Sequence, residues 1–159
     1  MKPEPENRID PKAITAWRIN GGFSSLTYWL IPLIYGGTAW DGDWAFWPVY
    51  LLSFVVILNT LLQCTVIPVI HWRRWRYQFD ENEIDLKRGL FVVRRTLIPV
   101  KRVQHVDTSQ GPVYRKLNLA KVIIFTAGST HEIPALSEET AEEARNLISK
   151  FAREAQENV

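Results

Sequence analysis

The sequence predicts a membrane α-helical hairpin of two transmembrane helices followed by a cytoplasmic α+β domain, a bent antiparallel sheet or partly open barrel of six to seven strands with one C-terminal helix. Three observations predict it. Two long uncharged runs stand near the front, apolar and polar residues alternate with period two from Trp75 onward, and the tail after Ser137 repeats apolar residues at helical spacing. At 159 residues, 47% hydrophobic and 23% charged, the chain is too apolar for disorder and long enough for one modest domain plus a small additional element.

The first run has no charged side chain from Ile19 to Trp40. Its stretch GGFSSLTYWLIPLIYGGTAW covers about 30 Å as a helix at about 1.5 Å per residue, the depth of a bilayer core. After the acidic turn Asp41-Gly42-Asp43, the second run extends from Trp44 to Ile70, which is long enough to require tilt or a projecting end. Pro48 and Pro68 lie near its ends, where a helix tolerates them best. Trp40, Trp44, Trp47, Trp72 and Trp75 cluster where the spans meet the headgroups, whereas Trp29 does not fit that belt. Two buried helices of a soluble protein would rarely run so far without a charge, and Glu4, Glu6 and Asp10 ahead of the first run disfavour a cleaved signal peptide. Lys12 and Arg18 precede the first span, HWRRWR follows the second, and the connecting turn is acidic, so both termini are expected in the cytoplasm of the cell membrane. Residues 1–20 are expected to form a cytoplasmic segment, with Asp10 as N-cap, Pro11 at the first helical position and a short interfacial helix through Ala13, Ile14 and Trp17 ending at Gly21-Gly22. Residues 21–70 then make the hairpin and residues 71–159 the domain.

Within the domain, WRYQF and EIDLKR alternate as half-buried strands around the turn Asp80-Glu81-Asn82. Gly89 marks the next reversal, LFVVRRTLI is a third strand, and RVQHVDTS is a fourth closed by Gly111-Pro112. AKVIIFTA is a fifth, apolar on both faces, and THEI is a short sixth ending at Pro134. Ser137 is an N-cap followed by Glu138 and Glu139, where the helix dipole favours acids, and Ala141, Ala144, Ile148, Phe151 and Ala155 make one apolar stripe.

RTLIPVKRVQHVDTSQGPVYRKLNLAKVIIFTAG followed by HEIPALS resembles the bacterial pleckstrin-homology-like family of membrane proteins (bPH2, formerly DUF304), in particular its small two-span members with a single such domain. The ordered set from Arg102-Val103-Gln104 through Gln110-Gly111-Pro112 to Arg115-Lys116 and Leu119-Ala120-Lys121-Val122 carries the resemblance. It implies a PH-like fold in a membrane-tethered binding or assembly module that works with a larger membrane relative bearing several copies of the domain.

The formal net charge of +2 conceals segregation: between Lys87 and Lys121 nine Lys and Arg residues face the single acid Asp107. The doublets Lys87-Arg88, Arg94-Arg95 and Lys101-Arg102, with Arg73, Arg74 and Arg76, are candidate contacts to anionic membrane lipids, at about 1 kcal/mol per cation near the surface. The bland alternative is that they set topology and solubility. Gln104, His105, Gln110, Arg115 and Lys116 are candidate interface residues. His105 and Asp107 share a strand face and are the one pairing that suits a cryptic membrane enzyme, but no nucleophile elbow accompanies them and no catalytic residue is assigned. The lone Cys64 excludes an intramolecular disulfide and a cysteine zinc site, His71, His105 and His131 have no ligand spacing, and neither GxxxxGK nor GxGxxG occurs, so no metal or cofactor is expected. Nucleic acid is disfavoured as a partner because no stacking motif accompanies the cations. The leading expectation is a non-enzymatic subunit assembling with a larger PH-like membrane protein or as a homo-oligomer, the second an anionic-lipid sensor. A role in envelope defence or export is a further reading for which no residue identifies a cargo.

Overall fold

Long uncharged stretches with few helix breakers become helices in the computed structural model, which describes residues 4–42, 44–90 and 92–157. Residues 17–69 form one compact unit, and residues up to 16 join those from 70 onward in a second. Helix α1 spans Lys12–Asp41, and the Lys12 amide donates to Asp10 Oδ1 at 2.8 Å, satisfying one of the free N–H groups at a helix start. The break expected at Gly21-Gly22 does not occur, for α1 continues past both glycines and through Pro32 as one 30-residue helix.

Gly21 acts in packing: a Cβ there would lie 3.1 Å from the Gln63 carbonyl oxygen, so the missing side chain lets two backbones approach closely. Cys64 Sγ lies 3.8 Å from the Arg18 carbonyl oxygen, and a Cβ on Gly36 would meet Val49 at 3.8 Å. These pairings run in opposite chain directions, so α1 is antiparallel to α2 (Trp47–Leu61) and its continuation. α2 passes through a π-helical turn, Leu62–Val66, into α3, Ile67–Arg74. Pro68 follows the wide turn, and because proline offers no N–H to the carbonyl four residues back and its ring would clash with that carbonyl in a regular helix, a local widening suits it.

Among the described residues one helix, Trp47–Arg74, is long and apolar enough to cross a membrane, where the sequence predicted two. α1 has the length, but Gly21, Gly22, Ser24, Ser25, Gly36, Gly37 and Thr38 dilute its apolar run. Both helices nonetheless expose large apolar side chains, Phe23, Leu33 and Ile34 on α1 and Tyr50, Phe54 and Leu61 on α2.

The other unit holds two antiparallel sheets. In the first the order is β1 (Asn7–Arg8), β2 (Arg76–Phe79), β3 (Glu83–Arg88) and β4 (Arg94–Pro99). A 3-10 turn, Val100–Arg102, leads to the second, made of β5 (Val103–Ser109), β6 (Leu119–Thr126) and β7 (Thr130–Ser137). Between β5 and β6 the chain makes a short helix, α4 (Pro112–Lys116), where the sequence suggested only a turn. Period-two alternation buries Tyr77, Ile84, Leu86 and Ile98 in the first sheet and Val106, Val122, Ile124 and Ile133 in the second, each such aliphatic side chain contributing about 1.5–3 kcal/mol of transfer free energy.

α5 (Glu138–Glu157) packs over β5, β6 and β7 with Ala141, Ala144, Ile148 and Ala152 buried. Its start is capped as expected, the Thr140 amide donating to Ser137 Oγ at 3.1 Å. Antiparallel sheets closed by a C-terminal helix are the PH-like arrangement that the resemblance implies. Among the described residues the strands total seven because the N-terminal segment supplies β1. β7 does not stop at Pro134: the register slips between Ala120 and Val122, and Pro134 and Ala135 fall in the irregularity, so no ladder N–H is lost there. Of the tryptophans expected among the headgroups, Trp75 is 3% exposed and belongs to the core and Trp72 is half-buried, its Nε1 donating to the Ile9 carbonyl at 3.0 Å, whereas Trp40, Trp44 and Trp47 are exposed.

Candidate functional site

Strand register gathers the predicted cations at one end of the first sheet. Arg76 pairs with Lys87, Lys87 with Arg95, and one residue further out Arg88 pairs with Arg94. Like charges directly opposite on a sheet repel, and two carboxylates offset the row. Lys87 Nζ lies 2.5 Å from Glu4 Oε1, Arg76 Nε lies 4.0 Å from Glu4 Oε2, and Arg76 Nη1 donates to the Pro5 carbonyl at 3.5 Å. The Arg95 guanidinium reaches buried Asp85 through Nε at 2.9 Å and Nη2 at 2.5 Å. The hydrogen bond from Lys87, helped by its charge, holds the Glu4 carboxyl below its ordinary range, and the hydrogen bond to Asp85 raises Arg95 further.

Of the cations singled out from the sequence as lipid contacts, Arg76, Lys87 and Arg95 therefore already have carboxylate partners. Arg73, Arg74, Arg94, Lys101 and Arg102 are exposed and Arg88 is half-buried, and among the described residues none of these has an acidic partner within 4.0 Å. Nothing in the spacing of Glu4 signalled its role. Only the pairing of β1 with β2 brings the N-terminal segment to this row.

The candidate interface residues lie on the second sheet and its connection. β5 pairs with β6 on one side, and among the described residues no strand pairs with its other edge. Gln104 sits in an irregularity between Val103 and His105 and is exposed. The His105 ring stacks on Phe125 at 4.2 Å between centroids, with its Nε2 4.0 Å from Asp107 Oδ2, beyond hydrogen-bond distance. Gln110 is half-buried after β5, and Arg115 and Lys116 are exposed in the last turn of α4. A hollow of about 560 Å³ lined by Lys101, Arg102, Gln104 and Ser129 opens at the β6–β7 turn.

Ser129 and His131 form a closer polar pair, which no motif in the sequence singles out. Ser129 Oγ is 2.8 Å from His131 Nε2, and burial together with the nearby Arg88 charge lowers the imidazole pKa. The opposite nitrogen, Nδ1, is buried with no hydrogen-bond partner, so the pair lacks the orienting acceptor that an activated serine uses. The Ser129 amide also donates to Thr126 Oγ1 at 3.1 Å, which makes this cluster a closure for the hairpin turn. No group of three or more His, Cys, Asp or Glu placed to hold a metal ion occurs among the described residues.

Residues 29–152 match the family described as Bacterial PH domain. The UPF0699 transmembrane protein YdbS of Bacillus subtilis (strain 168) is 39% identical over 159 residues, covering 100% of both chains. The UPF0699 transmembrane protein YdbT of the same organism is 34% identical over 94 residues, which are 57% of this chain and 19% of that protein. No solved structure matches.

Proposed function

Because the chain belongs to the bacterial PH-domain family and is a membrane member of it, we propose that it is a non-enzymatic, membrane-anchored assembly subunit whose PH-like module joins a larger PH-like membrane protein or further copies of itself. The observation that carries this reading is the open edge of β5, where Gln104, His105 and Asp107 are exposed beside an unpaired strand. Such an edge accepts an added strand through main-chain hydrogen bonds, and the molecule completes its other sheet in that way with β1. The match of part of this chain to a fraction of a longer transmembrane relative supports a larger partner that carries a related region.

Purification in a mild detergent, alone and after co-expression with a larger PH-like membrane protein such as YdbT of Bacillus subtilis, tests it. A complex of fixed stoichiometry, lost when His105, Arg115 and Lys116 are changed to Glu, is the expected result. A monodisperse monomer, with or without the relative, would sink the assignment.

The same reading places residues 17–69 in the membrane as a two-span hairpin. β1, ahead of α1, pairs with β2, which follows α3, so both ends of the helical unit lead into one module. Lys12, Arg18, Arg73 and Arg74 at those ends favour the cytoplasmic side. A second reading, recognition of anionic lipid, draws on Arg73, Arg74 and Arg94, which have no acidic partner within 4.0 Å among the described residues. Its test is salt-sensitive enrichment of acidic lipid around the full-length protein in mixed-lipid nanodiscs, and enrichment indifferent to salt would remove its electrostatic premise.

A further inference from the structure

The two ends of the first sheet differ sharply in chemistry. At one end the β2–β3 turn is Asp80-Glu81-Asn82, exposed and acidic, as a water-facing turn should be. At the other the β3–β4 connection displays apolar side chains, with Val92 71% and Val93 44% exposed and Leu90 half-buried beside them. Phe91 lies outside the described residues. Turns that face water use Gly, Asn, Asp and Ser, and this one has no polar side chain after Gly89.

Cations bracket the apolar tip. Lys87 and Arg88 precede it and Arg94 and Arg95 follow it, with Arg88 paired to Arg94 in the last row of the ladder. Gly89 fixes the tip's shape: its φ of +138° suits glycine, and a Cβ would fall 2.0 Å from the Val92 carbonyl oxygen. The register also says which end this is. Arg76, at the start of β2, pairs with Lys87 at the end of β3, and β2 begins two residues after α3 ends at Arg74. The apolar tip therefore belongs to the end of the sheet where the chain arrives from the membrane helix, and the acidic turn belongs to the far end.

We propose that the β3–β4 hairpin is a membrane-contact wedge: Leu90, Val92 and Val93 enter the boundary between headgroups and acyl chains of an anionic bilayer, and Arg88 and Arg94 bind lipid phosphates beside them. An apolar tip ringed by cations fits that interface and no water-facing role. The wedge gives the module a second point of attachment to the bilayer. The proposal rests on residues 17–69 lying in a bilayer.

The test uses the full chain with Cys64→Ala, a single cysteine introduced by Val92→Cys or, as a control at the far end, by Glu81→Cys, and a polarity-sensitive label on each. The proteins are placed in nanodiscs of phosphatidylcholine and phosphatidylglycerol that include lipids spin-labelled at shallow acyl positions. The label at 92 is expected to emit further to the blue than the label at 81 and to be quenched by the shallow spin label, with weaker quenching after Arg88→Gln plus Arg94→Gln or in phosphatidylcholine alone. A label at 92 as water-exposed as that at 81, in protein that has entered the discs, would overturn the wedge. A blue shift without quenching that depends on the number of chains per disc would also overturn it, in favour of a second copy covering the tip. Failure of the protein to enter discs at all would instead count against the membrane anchor.

Discussion

Arg76, Lys87 and Arg95 occupy one cross-strand row, an arrangement that only the facing carboxylates of Glu4 and Asp85 make tolerable. The two carboxylates differ in consequence. Asp85 is 5% exposed, so Arg95→Met leaves a buried charge without its partner and should lower the unfolding temperature, whereas Arg95→Met with Asp85→Leu should recover much of the loss. A double variant no better than the single one would show that the pair is not coupled in this way. Glu4 acts through pH. Its carboxyl titrates below 4.5 in the folded chain, so the pair stabilises the fold above pH 4.5 and its contribution fades as pH falls through the lowered value. Glu4→Gln should remove that part of the acid-side decline. His131 works in a higher window: with its folded pKa below 6.5, the unfolded chain takes the proton first, and stability falls as pH drops beneath 6.5. Thermal unfolding across pH should show this slope in the parent and a flatter profile in His131→Gln.

Glycines in the two units have different functions, and substitution separates them. At Gly89 the backbone lies in a region that side-chain-bearing residues rarely adopt, and an added Cβ would collide with the Val92 carbonyl, so Gly89→Ala should cost roughly 1–3 kcal/mol or more and disorder the hairpin tip. In the helical unit Gly21→Ala places a methyl against the Gln63 backbone at a cost of about 1–3 kcal/mol, while Gly22→Ala meets open space and should be neutral or better. Equal melting of the two variants in detergent would show that the close approach at Gly21 does not hold the helices. The strands of the module and its closing helix were legible because alternation and capping are local signals, as Ser137 and the Tyr77, Ile84 and Leu86 positions show. What escaped were features set by partners distant in sequence. Pro134 looked like a strand end because the irregularity that accommodates it depends on β6, and the Gly21-Gly22 pair looked like a stop because nothing local reveals Gln63 opposite. The candidate site was half-legible for the same reason: doublets identify cations, but only register shows which of them Glu4 and Asp85 engage.

A division of the chain at residue 71, natural from composition, cuts through the PH-like unit. Pro5 and Ile9 are buried, the Asp10 amide donates to the Ala135 carbonyl at 3.0 Å, and Trp72 Nε1 donates to the Ile9 carbonyl at 3.0 Å. The N-terminal segment is thus a structural part of the module that the C-terminal half builds, joined to it through the entire helical unit. That connectivity makes topology a strong test of the whole arrangement. A chain that crosses the membrane once between β1 and β2 would leave the two strands on opposite sides and make their pairing impossible, whereas two crossings return the chain to its starting side. In a Cys64→Ala background, single cysteines introduced by Glu6→Cys and by Glu143→Cys, both exposed positions, should react with a membrane-impermeant maleimide from the same face. That face should be the interior one, since the cations at both ends of the helical unit resist translocation. Labelling of the two positions from opposite faces would refute the hairpin and, with it, the completed first sheet on which the cation row and its Glu4 partner depend.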